Sequence, residues 1–338
     1  MKILYAIQGT GNGHISRARE IIPLLQKYGE LDILVSGTQA DVRLSQPVKY
    51  QLHGFSFIFG KKGGVDHYKT WLNMNLFRFR KDMKQLPLKE YDLIVNDFEP
   101  VSAWACKLQG IECVSLSHQA AFKSKKVPRP RTLDWGKLIL SRYAPTKYHI
   151  GFHFDRYDTF IHTPVIRAEI RNLKSENLGH YTVYLPAIDD KRLVKLFTQI
   201  PNITWQVFSK HSKVAYQQGN VFVEPVNNQK FNKSLATCEG LFTGGGFEGP
   251  AEALYLKKKL LVAPMRFQFE QQCNAYALKQ FGLPVIWGST RNWLPIVKNW
   301  VENPQKHEFD FPDETAQIID DMVRKYARVK SESGVQSL

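Results

Sequence analysis

Two apolar strands, each running into a cluster of glycines and then into a helix, constrain this chain more than any other feature. The first is Lys2-Ile3-Leu4-Tyr5-Ala6-Ile7-Gln8, which ends in Gly9-Thr10-Gly11-Asn12-Gly13-His14. The second is Gly240-Leu241-Phe242-Thr243, which ends in Gly244-Gly245-Gly246-Phe247-Glu248-Gly249. Glycines at such a turn permit positive φ and close backbone approach. The free N–H groups of the following helical turn attract negative charge. Two such turns far apart in sequence imply two parallel-sheet domains, each with a ligand-binding loop at the carboxyl ends of its strands.

The text around each turn agrees. After the first, Ile15, Ala18, Ile21, Ile22 and Leu25 recur at helical spacing, and LDILVSG reads as a second buried strand. Tyr91 to Asp97 is a strand, 99–109 a helix, and Cys113 to His118 the next strand. HIGFHF and PVIRAEI read as the last strands or loops of this half. The polar stretch NLKSENLGH marks the boundary. The second half repeats the grammar: strand YTVYLPAI, helix 189–198, strands NITWQVFSK and NVFVEPV, helix 229–237, GLFTGGG, helix 248–257, strand KLLVAPM, helix 270–280 and terminal helices. The expected fold class is α/β, with two Rossmann-like, doubly wound parallel-sheet domains facing a central cleft. The first domain is expected over 1–172 and the second over 178–312, with a C-terminal helix at about 313–330 packing back on the first. A length of 338 residues suits two such domains.

Several classes drop out. The first glycine turn is spaced G-x-G-x-G, and the next strand ends in Val35-Ser36-Gly37 without an acidic residue for a ribose diol. That argues against a nicotinamide dehydrogenase, and no G-K-[ST] triplet supports a P-loop. Cys106, Cys113, Cys238 and Cys273 form no C-x-x-C pair and read as buried hydrophobes in a reducing compartment. No apolar run of about twenty residues suggests a membrane span, and without a longer apolar run and a small-residue cleavage site near Met1 no cleavable signal is expected. The expected location is cytoplasmic, with peripheral attachment at the inner face of the membrane.

The formal charge is +15. One basic cluster, Lys61, Lys62, Lys69, Arg78, Arg80, Lys81 and Lys84, is interleaved with Trp71, Leu72, Met74, Leu76, Phe77 and Phe79. Another holds Lys123, Lys125, Lys126, Arg129, Arg131, Lys137, Arg142 and Lys147. Basic residues among aromatics suit an anionic membrane surface or an anionic acceptor, and also nucleic acid. A solvated basic face with no specific partner is the competing reading.

The candidate chemistry gathers at the carboxyl ends of the strands. His14 sits in the first turn of a helix, where the positive end of the dipole disfavours imidazolium and leaves a ring able to accept a proton. Asp97 and Glu99 end a strand of the same sheet and His118-Gln119 ends the next, so each is a candidate for the same cleft. In the second half the glycine turn presents amides to a diphosphate. Glu252, farther along the helix, can accept both hydroxyls of a ribose, and Glu270-Gln271 opens the next helix within reach of sugar hydroxyls.

The ordered run Gly246, Glu252-Ala253, Pro264, Glu270-Gln271-Gln272-Cys273-Asn274-Ala275 resembles the donor-site pattern of glycosyltransferases of the two-Rossmann-domain (GT-B) type. The nearest resemblance is to the family containing the peptidoglycan N-acetylglucosaminyltransferase MurG, the diacylglycerol glycosyltransferases and related antibiotic glycosyltransferases. The Gly9-to-His14 turn is similar to that family's acceptor-side loop, which assigns Gly11, Asn12 and Gly13, with Glu99 and His118 nearby, to the acceptor side. The resemblance implies that Glu252 binds ribose, Gly245 and Gly246 approach the diphosphate, and Gln271 with Glu270 or Gln272 contacts the donor sugar. It also puts the base near the backbone of Val226. One departure is Gly249, where the family carries Ser or Thr to help hold a phosphate.

The expected function is transfer of a sugar from a nucleotide-diphosphate-sugar, with uridine the expected base, to a hydroxyl acceptor. His14 or Asp97 would act as base, with inversion, and helix-terminal amides with Arg266 would stabilise the leaving group. No cofactor or metal is expected, since no Asp-x-Asp motif stands where a divalent ion would be held. A lipid-linked acceptor fits the basic-aromatic segment. The alternatives are a nucleotide-sugar hydrolase or epimerase on the same fold, and a non-catalytic membrane- or nucleic-acid-binding protein, nucleic acid being the least expected partner.

Overall fold

The structure, a computed structural model, describes residues 1–10, 12–37, 44–54, 76–130, 136, 140, 142–266 and 268–328. The first sheet has seven strands: β1 (Lys2–Gln8), β2 (Glu30–Ser36), β3 (Tyr50–Leu52), β4 (Leu93–Asp97), β5 (Val114–Ser117), β6 (Tyr148–Phe152) and β7 (Ile161–His162). Their order is β3-β2-β1-β4-β5-β6-β7, with every pair parallel. The second has six: β8 (His180–Tyr184), β9 (Thr204–Ser209), β10 (Tyr216–Gln218), β11 (Val221–Pro225), β12 (Gly240–Thr243) and β13 (Lys259–Val262), in the order β10-β11-β9-β8-β12-β13. Only β10 runs antiparallel to its neighbour. Two mostly parallel α/β sheets with flanking helices are the two Rossmann-like domains expected.

The strands are continuous apolar runs because helices cover both faces of a parallel sheet. In β1, Ile3, Leu4, Tyr5, Ala6 and Ile7 are all fully buried. The helix α1 (Asn12–Leu25) lays Ile15, Ala18, Ile21, Ile22 and Leu25 against that sheet. Next come α2 (Leu76–Gln85), which buries Phe79 and Met83 one turn apart, and α3 (Pro100–Gln109). The bounds of α3 are written in its caps: Glu99 accepts from two first-turn amides, Pro100 opens the helix, and Gly110 closes it at φ +66°. A short turn α4 (Ala168–Arg171) leads into the second half. There α5 (Asp190–Phe197), α6 (Asn228–Thr237), α7 (Glu248–Tyr255), α8 (Phe269–Gln280) and α9 (Trp293–Glu302) flank the second sheet.

The last helix, α10 (Thr315–Tyr326), returns to the first sheet. The Tyr28 hydroxyl donates to Asp320 at 2.8 Å, and the Tyr148 and Tyr326 rings lie 4.5 Å apart. One apolar core runs through both halves, joining Ile3, Ile22 and Phe154 to Phe247, Leu254, Ile319 and Met322. Each such side chain contributes about 1.5–3 kcal/mol on burial, so the halves are held in a fixed relation. Strand order reverses between β1 and β4 in one sheet and between β8 and β12 in the other. Ligands of open parallel sheets bind at such reversals, beyond the carboxyl ends of the strands.

Of the two options for PVIRAEI, strand or loop, the structure takes the loop: β7 ends at His162, and the stretch from Ala168 turns into α4. The three-residue edge strands β3 and β10 are too short and polar to show alternation. The basic-aromatic cluster is partly a helix, α2, while Lys61, Lys62, Lys69, Trp71, Leu72 and Met74 lie outside the described residues, as do Arg131 and Lys137 of the second cluster.

Candidate active site

The two reversal points face each other, and the residues between them are bonded across the gap. His14, in the first turn of α1, points its Nδ1 at Asp97 Oδ1, 2.7 Å away at the end of β4. Asp97 is fully buried and fully engaged. Its Oδ1 also accepts from the Arg17 guanidinium at 2.6 Å, and its Oδ2 from Arg17 Nε at 3.2 Å and the Tyr5 hydroxyl at 3.4 Å. Burial alone would push this carboxyl up, but Arg17 and His14 outweigh it and hold Asp97 below the usual carboxylate range. A carboxylate that stays ionised keeps the ring proton on Nδ1 and leaves the Nε2 lone pair for a substrate.

Phe98 follows Asp97 at φ +56°, a region a phenylalanine occupies only under strain. Its ring lies parallel to His14, at 7° and 6.3 Å between centroids, and stacks on Tyr143 at 4.8 Å. The Tyr143 hydroxyl in turn accepts from the Gln8 amide at 2.9 Å.

Arg17 reaches further than the first domain. One of its nitrogens donates to Glu248 Oε1 at 2.5 Å, tying Asp97 to the opening residue of α7 in the second. The two glycine turns also touch there, since a Cβ on Gly13 would run into the Glu248 carboxylate. Behind Glu248, Phe247 buries its ring flat on His118, at 3.8 Å and 6°.

The acceptor-side candidates separate on inspection. His14 pairs with Asp97, Gly13 faces Glu248 of the other domain and Asn12 opens α1, while Gly11 lies outside the described residues. Glu99 does not join them. Its oxygens accept from the Val101 and Ser102 amides at 2.7 and 2.6 Å, so it caps α3 from a fully buried position. His118 is likewise fully buried. Its ring nitrogens stand 2.8 Å from the Phe152 carbonyl and 2.7 Å from Asn274 Oδ1, which makes it a joint between domains. Burial pushes its pKa below the ordinary histidine value.

On the donor side, Glu252 is buried on α7 and gripped by an arginine of the first half. Arg167 donates from Nε to Oε1 at 2.5 Å and from a terminal nitrogen to Oε2 at 2.8 Å. The same guanidinium also pairs with Glu169 and contacts Asn228 and Asn232. Burial pushes the Glu252 carboxyl up. Arg167 opposes that, but Glu248 and Glu169 reinforce it, and the net shift is upward.

Gln271 turns inward: its Oε1 accepts from the Gly245 and Met265 amides at 3.2 and 3.0 Å, pinning the glycine turn to the loop after β13. Gly245 must be glycine, since a Cβ would sit 2.5 Å from the Gln271 carbonyl. Gly246 and Gly249, by contrast, face open space, with nothing within 4 Å of an added Cβ. Asn274 donates to the Gly245 carbonyl at 3.0 Å. Glu270 faces the first domain, accepting from the Gln119 amide at 3.1 Å. Gln272 is half-buried on α8, Arg266 is exposed in the preceding loop, and Val226 stands exposed just after β11, its N–H on the Ser209 carbonyl at 3.3 Å.

Sequence reasoning missed Arg17, Arg167, Phe98 and Tyr143. Arg17 follows His14 by one helical turn, which is the signal that could have found it.

A histidine–carboxylate pair at the reversal of one parallel sheet, facing a glycine turn at the reversal of another, defines a two-domain glycosyltransferase. The chain belongs to glycosyl transferase family 1, whose model matches residues 1–302. Solved structures agree on the fold. A glycotransferase of kitacinnamycin superposes with a TM-score of 0.57 at 14% identity, over 96% of this chain and 94% of that one. MurG of Acinetobacter baumannii gives 0.56 at 12%, over 96% and 99%. Phytolacca americana UGT2, complexed with UDP-2fluoro-glucose and pterostilbene, gives 0.56 at 12%, over 98% and 96%. No curated protein matches the chain.

Proposed function

We propose that this glycosyltransferase moves a hexosyl group from a uridine-diphosphate-sugar to an acceptor hydroxyl by a single inverting displacement. The observation that carries the reading is the 2.7 Å contact of His14 with a buried, arginine-clamped Asp97, opposite a glycine turn at which Gly246 and Gly249 face open space. The acceptor O–H gives its proton to His14 Nε2 as its oxygen bonds to the anomeric carbon. The bond from that carbon to the diphosphate oxygen breaks, and the nucleoside diphosphate departs. Asp97 keeps the ring in the right tautomer and stabilises the imidazolium that forms. Backbone amides at the start of α7 offset the charge on the leaving group, aided by Arg266. Glu252 and the backbone near Val226 hold ribose and base, and Glu270 with Gln272 meets the sugar. The sugar-nucleotide complex of the Phytolacca enzyme, which has this fold, supports uridine as the base.

No metal or cofactor takes part in this scheme. The test is incubation with UDP-glucose, with and without a panel of phenolic, sugar and lipid-linked hydroxyl acceptors, read by mass spectrometry. Acceptor-dependent glucoside that forms unchanged in EDTA and disappears in His14→Ala is the expected result. Equal turnover with and without acceptor would instead mark a nucleotide-sugar hydrolase.

A membrane-borne acceptor fits α2, which leaves Leu76 59% and Phe77 82% exposed beside Arg78, Arg80 and Lys81. Among the described residues no helix is long and apolar enough to cross a membrane, so contact would be peripheral. Replacing Phe77 with Ser and the three cations with Gln should weaken binding to phosphatidylglycerol vesicles severalfold; unchanged binding removes the membrane from the account.

A further inference from the structure

Gln119 has no task in the scheme above, yet it occupies the middle of the cleft. It opens the turn after β5 and is only 7% exposed. Its amide nitrogen lies 3.4 Å from His14 Nε2 and donates to Glu270 Oε2 at 3.1 Å, so one NH2 group spans the two domains. Its Oε1 is buried and has no hydrogen-bond partner among the described residues.

The first two contacts fix how the amide faces. An ionised carboxylate only accepts, so the nitrogen must be the atom turned to Glu270. Its second hydrogen then lies toward His14 Nε2, across a long 3.4 Å between nitrogens, at a place where a ring proton would clash and which an acceptor hydroxyl takes over on binding. That agrees with the proton sitting on Nδ1, against Asp97. The carbonyl oxygen is thereby left buried beside these two contacts, with its hydration lost and nothing in exchange. Buried acceptors are rarely left so, and an orphan one at a site calls for a donor from a ligand.

We propose that Gln119 positions the transferred sugar: its Oε1 accepts a hydroxyl of the donor hexose, while its nitrogen holds Glu270 against a neighbouring hydroxyl. The inference rests on the nucleotide-sugar reading. A hydroxyl supplies the proton Oε1 lacks, and adjacent ring hydroxyls match an amide beside a carboxylate. The location also fits, because the anomeric carbon has to lie where an oxygen deprotonated by His14 can reach it. Gripped from one domain by Gln119 and from the other by Glu270, the sugar would be held at that point. A site built around a hydrogen bond to a hydroxyl rejects an analogue lacking it far better than an apolar pocket could, because its own acceptor is then left unpaired. Gln119 would therefore act as a specificity residue for the sugar and leave the nucleotide untouched.

The test is calorimetric titration of the full chain with UDP and with UDP-glucose. In Gln119→Ala, UDP-glucose affinity should fall about tenfold, as for one buried hydrogen bond, with UDP affinity changed less than about twofold. Gln119→Met, which keeps the length and loses the polar atoms, should behave alike. A series of UDP-deoxyglucoses on the wild type guards against a folding artefact. One deoxy position should lose about tenfold on the wild type and nothing further on Gln119→Met. Equal weakening of UDP and UDP-glucose, or no change in either, would overturn the proposal. So would a wild type that discriminates against none of the deoxy sugars. If the wild type binds neither UDP nor UDP-glucose, the functional reading itself fails and the proposal falls with it.

Discussion

The cleft holds two buried arginine–carboxylate pairs built for different ends. In Arg17–Asp97 the carboxylate has a second partner in the His14 ring and four hydrogen-bond contacts, and it is held below its usual range. In Arg167–Glu252 the carboxylate has the arginine alone and two further carboxylates nearby, Glu248 and Glu169, and is pushed up. The first is a permanent anion serving one ring. The second is a carboxylate whose burial and acidic neighbours oppose the arginine that holds it. The same residue types, paired in the same manner, thus sit in opposite electrostatic settings: under the reading proposed above, the first would serve the catalytic base and the second the ribose.

The largest effect should come from breaking the first pair. Asp97→Asn leaves Arg17 with half its partners and lets the His14 ring take the wrong tautomer. Turnover of UDP-glucose with an acceptor should fall by about 10³–10⁴-fold. Thermal or urea unfolding near neutral pH should show a loss of about 3 kcal/mol. Because the folded-state pKa of Asp97 is depressed, its stabilisation is present above the unfolded value near 4 and is lost as pH falls through the lower, folded value. The stability gap between wild type and Asp97→Asn should therefore close on acidification below about pH 4. A gap that stays constant would mean that Asp97 is not held as an anion.

The second pair should respond in the opposite sense. Glu252→Gln should weaken UDP binding by about tenfold or more, as for lost hydrogen bonds to ribose. Its cost in stability should stay near 1 kcal/mol, because Arg167 retains Glu169, Asn228 and Asn232. Here the folded pKa is raised, so the stability tied to protonation is present at low pH and lost as pH rises through that value. Relative to wild type, Glu252→Gln should gain stability as pH climbs above about 4.5. Matching pH slopes for the two variants would erase the distinction between the pairs.

A smaller effect lies at Gly249, where an added side chain meets open space. Gly249→Ser should raise the melting temperature slightly, since glycine costs a helix about 0.5–1 kcal/mol. With a hydroxyl added beside the diphosphate site, it should also improve UDP affinity by a fewfold. A fall in affinity would place the diphosphate elsewhere.

Much of this was legible from the sequence, for reasons visible in particular residues. Strand, glycine turn and helix follow one another in an order that parallel sheets produce, so Asp97 could be placed at a strand end and His14 and Glu252 on the helices that follow the two glycine turns. What the pattern could not give was partnership at long range. Arg17 reads as one more cation on a surface helix, and its burial is decided by Asp97 from a different strand. Arg167 sits in an apolar stretch that reads as a strand or loop, and its target lies in the other domain. Glu99 was misplaced although its neighbour spoke plainly: an acidic residue just before Pro100 is a helix cap, and both oxygens are used as one. Gln271, expected at the sugar, also accepts from the Gly245 amide and so helps hold the glycine turn in shape, a contact that no local pattern announces.

The central claim is that the second glycine turn and Glu252 bind a nucleoside diphosphate. It is tested most directly by a thermal-shift panel of UDP, dTDP, GDP, NAD and their sugar conjugates on the wild type and Glu252→Ala. The account predicts that UDP and its conjugates raise the wild-type melting temperature and that the rise is lost in the variant. A wild type indifferent to every nucleotide, or an equal rise in both proteins, would contradict it.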